Sequence, residues 1–217
     1  HTYQRKGASE RVYVRPDAIE QFDDISTNVE TWFGTRGISK QTLQELQVTE
    51  GKEWMPQTSK TENTIQFNYF MGDQLINVKY RDGRKNFKLY KGAEKVFYNI
   101  NSIVGYDECI IVEGEMDVLA LHEAGVKNVI SVPNGATLNS NNLDYLDNCI
   151  DYFEDKTKII LAVDADEAGQ ALKHEFIRRL GAEACYTVDF ADCKDANDYL
   201  IEHSADMLRS AIHAAKQ

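Results

Sequence analysis

From residue 109 onward, short apolar runs alternate with stretches of helical period. Residues 109–112, 129–132, 158–163 and 184–188 are apolar with few polar interruptions. Strands covered on both faces of a parallel sheet have this pattern, because neither face meets water. Residues 118–124, 142–153, 167–180 and 205–215 set apolar side chains three and four apart, as an amphipathic helix does. The alternation predicts a parallel sheet wound with right-handed crossovers. The first hundred residues read differently. Residues 64–70, 74–81 and 85–89 are predicted strands, and Gly72-Asp73 and Asp82-Gly83 are turn signals between them. They fit an antiparallel hairpin or meander. Residues 17–46 read as helix broken at Gly34 and Gly37. The expected fold is α/β: a parallel sheet with helices on both faces over residues 105–217, preceded by a smaller α+β subdomain over 1–104. The stretch 99–106 is not linker-like, and there is no internal repeat.

Two of the apolar runs end abruptly in carboxylates. Ile110-Ile111-Val112-Glu113-Gly114-Glu115-Met116-Asp117 is one, and Ile159-Ile160-Leu161-Ala162-Val163-Asp164-Ala165-Asp166 is the other. In open α/β sheets the ligand site lies beyond the carboxyl ends of the strands. Neighbouring strand ends would bring Glu113, Asp117, Asp164 and Asp166 to one crevice. Carboxylates gathered there repel one another, and a hard divalent cation with phosphate as a further ligand relieves this. Asp164 and Asp166 share a side in extended backbone. Glu113 and Asp117 share a face if a helix starts between them, and Gly114 permits the tight turn. Lys194-Asp195-Ala196-Asn197-Asp198 follows a further apolar run, so Asp195 could complete the cluster. Aspartates at strand ends also cap helices, and Asp195 could simply cap a helix over 196–201. The joint pattern, Glu-Gly-Glu-x-Asp after one run and Asp-x-Asp after a later one, points to metal-dependent phosphoryl transfer.

Charge sharpens this reading. The net charge of −11 argues against a nucleic-acid partner only when taken whole. Residues 1–100 hold 15 basic and 13 acidic side chains, and residues 101–217 hold 9 and 22. The basic residues concentrate in Lys79, Arg81, Arg84, Lys85, Lys88, Lys91 and Lys95, interleaved with Tyr80, Phe87, Tyr90 and Phe97. That strip suits phosphates and stacked bases. It also suits a sheet edge protected by lysines. Cys109, Cys149, Cys185 and Cys193 form no Cys-x-x-Cys pair, so no zinc is expected, and the usage suits a reducing compartment. The five histidines show no ligand spacing. No apolar run approaches the roughly 20 residues of a membrane span. The chain opens at His1 without methionine, as an excised fragment or processed product would.

The motifs resemble those of the Toprim domain shared by primases, topoisomerases and some nucleases. Glu113-Gly114 with Asp117, then Asp164-x-Asp166 with Gly169, carry the resemblance. Val132-Pro133-Asn134-Gly135-Ala136, Lys194-Asp195-Ala196-Asn197-Asp198, the segment from Trp32-Phe33-Gly34 to Arg36-Gly37-Ile38-Ser39, and Lys85-Asn86-Phe87-Lys88 are similar to further primase motifs. The similarity covers about residues 30–200 and points to the primase half of T-odd phage helicase–primases and Twinkle-like proteins. It implies synthesis of RNA primers on single-stranded DNA from ribonucleoside triphosphates with Mg2+ or Mn2+. The helicase would belong to the same or another chain. Glu113, Asp164 and Asp166 would be catalytic, and Glu113, Asp117, Asp164, Asp166 and Asp195 would bind metal. Arg81, Arg84, Lys85, Lys88, Lys91 and Asn134 would hold nucleotide or DNA. The alternatives are a non-catalytic single-strand-binding module of a replicative helicase and a Toprim nuclease. The expected location is the cytoplasm of a bacterial or phage-infected cell, or an organelle for a Twinkle-like protein.

Overall fold

Two serines start the first helices. Ser26 caps α1 (Thr27–Gly34) by accepting from the Val29 N–H, and Ser39 caps α2 (Lys40–Glu45) by accepting from the Thr42 N–H. The structure is a computed structural model that describes residues 12–19, 25–135 and 143–217. The helical stretch expected over 17–46 is therefore corrected to two short helices. Residues 17–19 and 25–26 lie outside any helix, and residues 20–24 lie outside the described ones. Between α1 and α2 the chain turns through Gly37 at φ 73°, a conformation that favours glycine.

An antiparallel sheet follows in the order β1 (Thr49–Met55), β2 (Lys60–Met71), β3 (Gln74–Asp82), β4 (Phe87–Leu89). Strand β1 had no signature in the sequence. It is an edge strand on which Thr49, Gly51, Glu53 and Met55 share a side, so it lacks apolar alternation. Register decides which side chains face the rest of the molecule. Ile65 pairs with Arg81, Phe67 with Lys79, and Tyr69 with Asn77. Directly opposed residues share a face. Lys79 and Arg81 therefore lie on the core side with Phe67 and Tyr69, while Lys88 pairs with Tyr80 on the other side.

The second sheet is parallel, in the order β6 (Val129–Ser131), β5 (Glu108–Val112), β7 (Lys158–Leu161), β8 (Cys185–Thr187). Helix α3 (Glu115–Glu123) joins β5 to β6. Helix α4 (Asp144–Asn148) and a 3-10 turn (Ile150–Phe153) lead to β7, and α5 (Glu167–Leu180) leads to β8. The chain then ends in α6 (Ala196–Glu202) and α7 (Ala205–His213). After β6 the winding reverses across β5. Right-handed crossovers then put α3 on one face and α4 and α5 on the other. The packing agrees. Helix α3 contacts α6 and α7, whereas Phe97 meets Tyr145 of α4 at 4.9 Å and Phe176 of α5 at 6.2 Å.

One buried cluster runs through both sheets. It joins Phe33, Phe67 and Tyr69 to Ile100 and Ile103, and these to Ile110, Leu119, Ile160 and Phe176. Tyr98 stitches the halves together. Its ring meets Tyr69 at 5.2 Å and its backbone N–H donates to Ser131 O at 2.9 Å. The four cysteines are buried free thiols, and burial pushes Cys109 and Cys149 up to about 12. Among the described residues, no helix is long and apolar enough to cross a membrane.

Candidate active site

The reversal of strand order falls between β5 and β7, and a ligand crevice is expected beyond their carboxyl ends. Glu113 follows β5 and Asp164 lies three residues past β7. The Asp164 N–H donates to Glu113 Oε1 at 3.0 Å. Gly169 in the first turn of α5 lies against this pair, since a Cβ there would come within 2.2 Å of Asp164 O and 2.5 Å of Glu113 Oε1. Asp117 projects from the first turn of α3, where the helix dipole favours an anion, and its Oδ1 accepts from the Asn197 N–H at 3.1 Å. Asp195 caps α6 by accepting from the Asp198 N–H at 2.9 Å. Glu113, Asp117, Asp164 and Asp195 all line one cleft of about 270 Å³.

These acids are electrostatically stressed. Burial, and then the Asp195 charge, hold the Asp117 carboxyl well above its usual range. Burial also raises Asp164, partly offset by Lys194, whose Nζ lies 2.9 Å from Asp164 Oδ2. The bond to Asp164 in turn raises Lys194.

Asp166 is placed differently from the reading in sequence. It is exposed, caps α5 by accepting from the Gly169 N–H at 2.9 Å, and is not among the residues lining the cleft. The chain bends at Ala165 and Asp166, so the two-residue spacing does not aim both carboxylates the same way.

The opposite wall is cationic and aromatic. Arg36, Lys79, Arg81 and Lys85 line it with Trp32 and Phe87. Asp82 shapes the turn that presents Lys85. Its Oδ1 accepts from the N–H groups of Arg84 and Asn86 at 2.9 and 2.8 Å, and Lys85 sits at φ 65°. The Arg81 and Arg36 guanidinium carbons lie 4.4 and 5.1 Å from the Trp32 ring centre. Burial and the neighbouring Arg36 charge both lower Arg81, so the two guanidinium groups stand close together beside the indole.

The basic strip therefore does not act as a unit. Lys79 is buried, and its Nζ donates to both Glu115 oxygens at 2.9 and 3.0 Å, while the Tyr69 hydroxyl also bonds Glu115. Lys88 is turned away, paired with Glu53 at 2.6 Å, because its register partner is Tyr80. Arg84 and Lys91 are exposed outside the cleft lining. Asn134 is exposed too, although its neighbour Gly135 lines the cleft. Trp32, Arg36, Lys194 and Asn197 are among the lining residues that had no role assigned in sequence. Trp32 and Arg36 lie inside one quoted motif, and Lys194 and Asn197 inside another, so the signal was present but unassigned. The Asn197 amide also donates to Arg36 O at 2.9 Å, joining the two walls.

A hard divalent cation fits the acidic wall. Its donors are carboxylate oxygens, and they carry more negative charge than Lys194 balances. Among the described residues no three of them gather within 4.8 Å. Magnesium does not need three gathered carboxylates, since it usually takes one or two and completes its shell with water and substrate phosphate.

Comparison with known proteins agrees with this architecture. Residues 110–200 match the family described as Toprim-like. The chain is 34% identical over 209 residues to a primase homolog protein of Arabidopsis thaliana, covering 88% of this chain and 60% of that protein. It is 32% identical over 209 residues to the Twinkle homolog protein, chloroplastic/mitochondrial, of the same plant, covering 88% of this chain and 29% of that protein. The chain thus spans less than two thirds of either relative. Among solved structures, the primase fragment of the bacteriophage T7 primase-helicase protein superposes with a TM-score of 0.70 at 24% identity, covering 95% of this chain and 82% of that one.

Proposed function

From the Toprim-like domain that this chain carries, and the primase-type fold around it, we propose that it is the catalytic core of a DNA primase. It joins ribonucleotides into short primers on a single-stranded DNA template, as one segment of a helicase–primase. The observation that supports this most is the cleft with two unlike walls. One wall bears Glu113, Asp117, Asp164 and Asp195, and the other bears Arg36, Arg81 and Lys85 with two aromatic rings. The acidic wall suits a metal and the cationic wall suits polyphosphate, which is the pairing that nucleotidyl transfer requires.

In this proposal Asp117, Asp164 and Asp195 hold the metal. Bound there, Mg2+ or Mn2+ would neutralise the charge that develops on the entering and leaving oxygens. Arg36, Arg81 and Lys85 grip the triphosphate, and Trp32 and Phe87 offer faces for a base. Glu113, fixed by the Asp164 N–H, takes the proton of the attacking 3′-hydroxyl. The new bond joins that oxygen to the α-phosphorus, and pyrophosphate leaves. Lys194, on Asp164, offsets the acids until the cation and triphosphate enter.

The test combines single-stranded DNA, labelled ribonucleoside triphosphates and magnesium, with Asp164→Asn as control. Primer product that disappears in the variant supports the proposal. Shortened template would replace it with a nuclease, and bound but unchanged template with a binding module.

A further inference from the structure

Cys193, Glu202 and His203 lie outside the cleft lining, and the reading above uses none of them. Each can offer one ligand atom, and the sulfur, carboxylate oxygen and ring nitrogen lie within 4.8 Å of one another. Among the described residues no other group of three or more such side chains is so gathered. Cys193 Sγ is already 3.5 Å from Glu202 Oε2.

We propose that these three residues bind a divalent transition metal of the zinc class. A thiolate, an imidazole and a carboxylate with one open position suit zinc, which is tetrahedral and accepts all three donor types. Magnesium has no use for sulfur, so this site and the acidic cleft select different ions. The fold builds the site in a way that sequence spacing does not show. Phe190 packs on Tyr199 at 5.7 Å and lays the segment before α6 against that helix. Cys193 thereby reaches Glu202, the last residue of α6, nine positions away in sequence. Tyr199 also stacks on the His203 ring at 4.3 Å and orients it. Access is open, because Glu202 and His203 are exposed and Cys193 lines a cavity of about 580 Å³.

The site has a consequence for its neighbour. Lys194 and Asp195 directly follow Cys193, so a bound ion ties the segment carrying them to the last turn of α6. The proposal does not depend on primase activity and is tested without it.

The probe is Co2+, titrated into the reduced protein and followed by absorption. A thiolate-to-cobalt band should saturate at one equivalent, yield to Zn2+ and resist Mg2+. Cys193→Ser should abolish it, His203→Ala should weaken cobalt binding about tenfold or more, and Asp164→Asn should leave it unchanged. Zn2+ should raise the melting temperature of the parent protein but not of Cys193→Ser, since the ion binds only the folded site. Absence of the band, its survival in Cys193→Ser, or its loss in Asp164→Asn would each overturn the proposal. If Cys193→Ser does not fold, the exposed positions decide: unchanged cobalt affinity in both Glu202→Gln and His203→Ala refutes it.

Discussion

Replacing Lys79 separates its position in the fold from the phosphate-binding role that its place in the basic strip suggests. Lys79 and Glu115 have side-chain exposures of 11% and 4%, and they join β3 to the first turn of α3. Lys79→Met leaves a buried carboxylate with the Tyr69 hydroxyl as its remaining bonded partner. Removing one member of a buried pair costs about 3–5 kcal/mol. For a chain of this length each kcal/mol lowers the melting temperature by about 2–4 °C, so the expected drop is about 6–20 °C. In the double variant Lys79→Met/Glu115→Leu no charge is stranded, and stability should return to within about 2 kcal/mol of the parent. Urea unfolding followed by circular dichroism measures both. Affinity for single-stranded DNA is measured alongside as a function of salt. If Lys79 instead met a nucleic-acid phosphate, its loss would flatten the log–log salt slope by about 0.7 and barely change stability. A loss below about 1 kcal/mol in the single variant, or a double variant no more stable than the single, would refute the buried-pair reasoning.

Asp164→Asn should lower primer synthesis at least about 100-fold, read by labelled ribonucleotide incorporation, while circular dichroism stays native. Asp117 titrates higher folded than unfolded, so the folded state holds the extra proton and stability falls as pH rises above about 3.8. In chelator, Asp117→Asn should therefore match the parent's melting temperature below that pH and exceed it as pH rises above it; a constant offset would contradict the burial. Lys85→Ala should weaken DNA or nucleotide binding and flatten its salt dependence, whereas Lys88→Ala should do neither, because Lys88 is held by Glu53; equal effects in a filter-binding series would contradict the register. Gly169→Ala should cost both activity and several degrees of melting temperature, since its Cβ would meet Asp164 backbone; an unperturbed melt would show that α5 can shift.

The parallel sheet was legible because its strands are apolar on both faces, and the helix over 167–180 occurs at those bounds. The acid positions were legible for the same reason, since an apolar run that stops at a carboxylate marks the strand end facing the crevice. What escaped was whatever depends on register or on a distant partner. Lys79, Lys85 and Lys88 look alike in sequence. Pairing with β2 buries the first, the turn held by Asp82, with Lys85 itself at φ 65°, exposes the second, and pairing with Tyr80 turns the third away. Asp166 stands exposed at the start of α5 and outside the cleft lining, because the chain bends between it and Asp164. Arg36 escaped because only packing against Trp32 and Asn197 brings it to the acids.

The unbroken core beneath both sheets makes the cleft a seam rather than a jaw. Tyr98, Ile100 and Ile103 bind the two walls from below, so neither wall can swing without tearing buried contacts. The spacing between the carboxylates and the guanidinium groups is then set when the chain folds, and substrate binding need not supply that ordering. Heat should erase metal affinity and polyphosphate affinity together, in one cooperative step.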